Sequence, residues 1–152
     1  MPDRRWLNPV EQHHILSEIT LHLLPVLPTG WRQVLIDYAA LGTRVRARSG
    51  VRMGGGRMER LAVPSEIRPL FLRLREGMYR EGTGTWFAMR YAINPPDVFS
   101  AEYDYTALPD LLTPVPTEAL TEEQRRLPRT PKHMPDWFQA GLGAPPEQAR
   151  QD

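Results

Sequence analysis

At 152 residues the chain has the length of one domain, and a domain of that size buries roughly 70% of the surface its unfolded form exposes. Cysteine is absent, which excludes disulfides, thiolate metal ligation and thiol catalysis together. The formal net charge of +1 argues against wholesale binding of a polyanion. The opening Met1-Pro2-Asp3-Arg4-Arg5-Trp6 lacks the apolar core of a signal peptide. The longest apolar clusters are broken by Pro, Arg or His well short of the about 20 residues that span a bilayer. A cytoplasmic address with no membrane partner is expected.

In chain order, Asn8, Pro9 and Glu11 form a helix start, with Asn8 as cap and Glu11 reaching back to it. Ile15, Ile19 and Leu23, joined by Leu16 and Leu24, recur at helical spacing until Pro25 and Pro28 end the helix. After Thr29-Gly30, the stretch Trp31 to Ala40 alternates Val34, Ile36 and Tyr38 with Gln33, Leu35 and Asp37, a strand period. Leu41-Gly42 turns the chain into a second strand, Thr43 to Ser49. Its Val45 and Ala47 are expected on a buried face and its Arg44, Arg46 and Arg48 on a wet one. Past Gly50 a short strand reaches Met53, Gly54-Gly55-Gly56 makes a turn, and Arg57 to Ala62 returns.

Between Ser65 and Glu81, Ile67, Leu70, Leu74 and Met78 define an amphipathic helix. Ser65 suits its cap, Arg68, Arg73, Arg75 and Arg80 lie off the apolar stripe, and Gly82-Thr83-Gly84 ends it. Two antiparallel strands follow, Thr85 to Ile93 and Val98 to Tyr105, linked by Asn94-Pro95-Pro96-Asp97. On the second, Phe99, Ala101, Tyr103 and Tyr105 share one face, and Glu102 and Asp104 the other. The remainder reads as a proline-punctuated loop, a short helix at Thr117 to Arg126, an aromatic anchor at Trp137-Phe138, and a frayed tail from Gly141. The sum is a single α+β domain over residues 1–140, with an antiparallel sheet packed by an N-terminal and a central helix, an irregular C-terminal wrap, and a flexible tail over 141–152.

Charge is segregated along the chain. Arg44, Arg46, Arg48, Arg52, Arg57 and Arg60 crowd one stretch against the single acid Glu59. The stretch 94–123 carries Asp97, Glu102, Asp104, Asp110, Glu118, Glu122 and Glu123 and no Lys or Arg. These are read as two oppositely charged faces, the arrangement that steers association and enforces partner choice.

Catalytic readings are weaker. His13 and His14 are adjacent and point about 100° apart on a helix, His22 and His133 lie elsewhere, and no His-x-x-x-His spacing occurs, so no metal site and no cofactor is expected. No Gly-x-Ser-x-Gly elbow surrounds Ser17, Ser49, Ser65 or Ser100. The glycine triplet lacks the Lys-Ser/Thr of a phosphate loop. Glu102 and Asp104, at about 7 Å on one strand face, could form a carboxylate pair for hydrolysis, although a hydrated strand face is the commoner meaning. Arg44, Arg46 and Arg48 could form a nucleic-acid ladder, but aromatics for stacking bases are missing beside them, and no nucleic acid is expected.

Several strings together resemble the YezG-like immunity proteins, antitoxins of bacterial polymorphic toxin systems. They are Thr29-Gly30-Trp31, Leu72-Arg73-Leu74-Arg75-Glu76-Gly77-Met78, Gly84-Thr85-Trp86-Phe87, Phe99-Ser100-Ala101-Glu102-Tyr103-Asp104-Tyr105, and 127–138 with its Leu127-Pro128-Arg129 opening and Pro135-Asp136-Trp137 close. The succession runs from the first helix to Phe138. It departs from the family where Thr106-Ala107 replaces further acids and Leu127 an aromatic. The resemblance implies a non-enzymatic inhibitor whose partner is a cognate toxin, an NAD-glycohydrolase or a nuclease, with its active site occluded. From the segregated charge, the expected toxin-binding residues are Glu102, Asp104 and Asp97, with the hairpin Arg52, Gly54, Gly55, Gly56 and Arg57 as a second element whose glycine tip can enter a narrow cleft.

Overall fold

The computed structural model describes residues 6–143. They form one α+β domain around a five-stranded antiparallel sheet of order β3-β2-β1-β4-β5. The strands are β1 (Trp31–Leu41), β2 (Arg44–Met53), β3 (Met58–Arg60), β4 (Ala88–Asn94) and β5 (Val98–Asp104). Two helices, α1 (Pro9–Leu23) and α2 (Ile67–Gly77), cover one side of the sheet. Two more, α3 (Thr117–Arg126) and α4 (Asp136–Gly143), belong to the C-terminal wrap. Of the tail expected over 141–152, Gly141 to Gly143 instead close α4, and 144–152 lie outside the described residues.

Helix α1 starts as its sequence dictates. Asn8 Oδ1 accepts from the Glu11 amide at 2.8 Å, and Glu11 Oε1 accepts from the Asn8 amide at 3.0 Å, a reciprocal cap of about 1 kcal/mol. Ile19 and Leu23 point into the main core with Val34, Ile36 and Tyr38 of β1 and Tyr91 and Ile93 of β4, all buried. Tyr38 stacks on Phe71 of α2 at 4.9 Å and meets the edge of Trp86. Such aromatic contacts add about 0.5–1.5 kcal/mol each beyond the area they bury. Tyr103 packs on Trp86 at 5.5 Å and is structural.

Five expectations are corrected. Strand β2 runs unbroken through Gly50. Val45 and Ala47 are exposed, Val45 at 39%: alternation decides which side of a strand a residue faces, and here α2 stops short of covering that side. Helix α2 is shorter than its apolar spacing suggests, starting from a turn at Pro64 and Ser65 without a side-chain cap, and β4 begins at Ala88 because Trp86 and Phe87 are buried in the approach to it. Arg75, placed off the apolar stripe, is 1% exposed, since α2 is covered there by the C-terminal wrap.

That wrap encloses a second core at one end of the other sheet side, where Leu41, Phe87, Leu112, Leu120 and Phe138 meet. The two cores are bolted together by buried polar groups. Arg75 donates to Glu123 Oε2 at 2.7 Å and to the Trp86 carbonyl at 2.9 Å, while Glu123 Oε1 accepts from the Gly42 amide at 2.8 Å. Arg129 donates to the Thr85 and His133 carbonyls and lies over the Phe87 ring. Among the described residues no helix is long and apolar enough to cross a membrane.

Candidate functional site

The side of the sheet opposite α1 and α2 is open except where the wrap covers one end. Parity puts Arg46, Arg48, Gly50 and Arg52 of β2 on it, with Gln33, Leu35 and Asp37 of β1, Arg90, Ala92 and Asn94 of β4, and Ser100, Glu102 and Asp104 of β5. Arg60 and Met58 of β3 extend the face beyond Gly50 and Arg52.

The register converts these residues into rows running across the strands. One row is Arg48, Asp37, Arg90, Glu102, alternating in sign. Arg90 grips Asp37 through two bonds, 2.8 and 3.2 Å, and Arg48 stands 3.9 Å from the same carboxylate. The hydrogen bond to Asp37 raises the Arg90 pKa further. Exposed pairs of this kind contribute about 0–1 kcal/mol, so their weight lies in the fixed pattern of charge. The next row, Gly50, Leu35, Ala92, Ser100, carries little side-chain bulk. It separates the charged row from a polar one of Arg52, Gln33 and Asn94, where Gln33 donates to Asn94.

The two charged regions of the sequence are therefore not opposite faces. The arginines of β2 and β3 and the acids of β5 are the two edges of one face, with Asp37 and Arg90 between them, while Asp110, Glu118 and Glu122 stand on the C-terminal wrap. Glu123, counted with the acids in the sequence, is buried and belongs to no face.

The expected contact residues fall into two places. Glu102 and Asp104 are exposed on β5. Asp97 sits in the exposed β4–β5 turn, and Gly54, Gly55, Gly56 and Arg57 in the exposed β2–β3 turn, with Arg52 on the strand leading to it. Because Trp31 pairs with Met53 and Val34 with Ile93, both turns lie at the same end of the sheet, about three strand spacings or roughly 14 Å apart. Only Gly56 of the triplet needs its glycine conformation, at φ +90°, and open space surrounds Gly55 and Gly56. Arg57 is held by Glu59 through both Nε and a terminal nitrogen.

Asp104 already has a structural task. Its Oδ1 accepts from the Ala107 and Thr106 amides, each at 2.9 Å, ending β5 in a turn. Those backbone bonds hold its carboxyl below the usual range. A proton donor for hydrolysis needs the opposite shift. Among the described residues no three His, Asp or Glu side chains are grouped to hold a metal ion. His13 instead packs on Phe99 at 5.1 Å, and His133 Nδ1 lies 3.0 Å from the Thr130 hydroxyl.

Sequence reasoning missed Asp37 and Arg90, the centre of the charged row. The signal was present: each occupies the wet parity of a strand whose other parity is buried. No protein-family model matches the chain, and no curated protein is significantly similar to it.

Proposed function

We propose that the chain is an immunity-type inhibitor, which binds a toxin enzyme of the NAD-glycohydrolase or nuclease class and blocks its active site. The observation that carries the reading is the open sheet face, where a fixed alternation of charge runs across the strands beside an uncharged row. Such a surface is preorganised, steers encounter, and penalises partners with the wrong charge order.

Size constrains how it is used. The open part of the face spans about four strand spacings by five residues, roughly 300 Å² in projection. A stable complex buries about 800 Å² per partner. A partner that also reaches the turns at the end of the face gains the Gly54 to Gly56 tip and Asp97 as contacts.

A hydrolase built on Glu102 and Asp104 is disfavoured by geometry, because Asp104 Oδ1 is already taken by the Thr106 and Ala107 amides that end β5. A nucleic-acid surface draws support from the convergence of Arg46, Arg48, Arg52 and Arg60, but Asp37 and Glu102 on the same face repel phosphates. Affinity for nucleic acid that falls steeply with salt would favour that second reading.

The test is kinetic. Against the toxin domain expected in the neighbouring reading frame, Glu102→Lys and the pair Arg52→Glu/Arg60→Glu should each slow association on the order of tenfold at low salt, the difference shrinking as salt rises. Glu102 is preferred to Asp104 for reversal because Asp104 also caps a turn. Unchanged low-salt association rates in both variants would remove this face from the interface.

A further inference from the structure

Strand β2 is ten residues long, but β3 pairs only with Gly50, Val51 and Arg52. The chain then turns away through Val63-Pro64 toward α2, and proline cannot donate to a ladder. Among the described residues, nothing pairs with the outer edge of β2 from Arg44 to Ala47.

The direction of the backbone groups there follows from the hairpin. Leu41 and Arg44 flank a two-residue turn and are paired, so the amides and carbonyls of Arg44, Arg46 and Arg48 point to β1, and those of Val45 and Ala47 point outward. Ser49, of the same parity, confirms this, since its carbonyl accepts from the Leu61 amide at 3.2 Å. The Val45 carbonyl meanwhile accepts from the Arg46 guanidinium at 2.9 Å, a side-chain donor standing where a neighbouring strand's amide would bond.

Both sides of this edge are chemically distinct. On the helix side, Val45 and Ala47 border a groove of about 550 Å³ completed by Tyr38, Ile67, Phe71 and Leu72, and Leu72 is 41% exposed. On the other side stand Arg44, Arg46 and Arg48.

We propose that this edge is a strand-addition site, at which an extended segment of the partner lies in line with β3. The partner segment alternates apolar residues, which enter the groove beside Val45 and Ala47, with acidic ones, which meet Arg46 and Arg48. Charge selects the occupant. Two copies pairing through β2 would set arginine against arginine, whereas an acidic strand is attracted. This rests on the reading of the chain as a protein-binding inhibitor and names a second point of grip, outside the open face.

The experiment uses the full chain, isotope-labelled, and a short extended peptide of alternating glutamate and valine, with a lysine and valine peptide of the same pattern as control. On saturation, amide exchange at Val45 and Ala47 should slow at least about tenfold with the acidic peptide, and the lysine peptide should leave it unchanged. Ala47→Pro removes an outward amide and keeps the β1–β2 ladder, so it should stay folded by its amide spectrum and lose the peptide. Arg46→Glu/Arg48→Glu, which alters only side chains, should lose it as well. Four results overturn the proposal: no protection at roughly millimolar peptide, protection elsewhere on the chain, binding that survives the arginine reversal, or a β2-paired dimer. No toxin is present in the assay, so such a result removes strand addition alone. The inhibitor reading stands or falls on the association rates above.

Discussion

Glu123→Ala is expected to destabilise the domain by about 3–5 kcal/mol, lowering its thermal midpoint by roughly 10 °C or more. Glu123 and Arg75 are each 1% exposed and meet at 2.7 Å. Removing the carboxylate leaves the guanidinium charged in the interior, still bonded to the Trp86 carbonyl, and strips the Gly42 amide of its acceptor. An unpaired buried charge is far costlier than the pair itself is stabilising. The double variant Arg75→Met/Glu123→Leu should consequently recover most of the loss, because an apolar pair of similar volume removes the stranded charge. Denaturant melts of the parent and the two variants decide this. A single variant within about 1 kcal/mol of the parent would mean that the guanidinium finds water and that the bolt between α2 and α3 does not hold the wrap in place.

The second large effect is at the turn between β1 and β2. Gly42 has φ +62°, at the first central position of a two-residue hairpin, and Thr43 has no positive φ, the pattern of a II′ turn. A Cβ built on Gly42 would stand 2.5 Å from the backbone carbonyl oxygen of Ala119, which cannot swing aside as a side chain could. Gly42→Ala combines the left-handed penalty of about 1–2 kcal/mol with an overpacking cost of about 1–3 kcal/mol. A loss of about 3 kcal/mol is expected. Gly55→Ala serves as the comparison: its Cβ would meet nothing within 4 Å and its φ is not positive, so its melt should match the parent's within about 0.5 kcal/mol. Equal losses at the two positions would contradict the packing of α3 against this turn.

The turn at Gly42 was readable in the sequence, but the Ala119 carbonyl packed against it and the partnership of Arg75 with Glu123 were not, and the reason is physical. Local chemistry was readable: the Asn8–Glu11 cap, the alternation of Val34, Ile36 and Tyr38, the acids and aromatics on opposite sides of β5, and the span of α3 from Thr117 to Arg126. These depend on neighbours within a few positions. Arg75 and Glu123 are 48 residues apart, and each looks like an ordinary polar residue of an amphipathic helix until the C-terminal wrap covers both.

The candidate surface follows the same division. Parity placed Glu102, Asp104 and the arginines of β2 on wet faces, but only the strand order puts the two groups on one face, with Asp37 and Arg90 between them. The exposure of Val45 and Ala47 was likewise illegible, since it reflects where α2 ends and how early β3 stops. The turn that Asp104 caps was hidden for the opposite reason. Its partners at Thr106 and Ala107 are adjacent in sequence, but an acid in an alternating strand reads first as surface charge.

The account depends on the chain acting as a stoichiometric plug, and one titration addresses that directly. The toxin domain that the proposed function expects in the neighbouring reading frame is assayed for its own activity while the purified chain is added. The proposed function predicts a linear fall that reaches zero at about one equivalent, as for a complex with a dissociation constant on the order of 1 nM, with the added chain recovered unchanged. Full toxin activity at excess chain, or a small molecule converted through many turnovers by the chain itself, would contradict it.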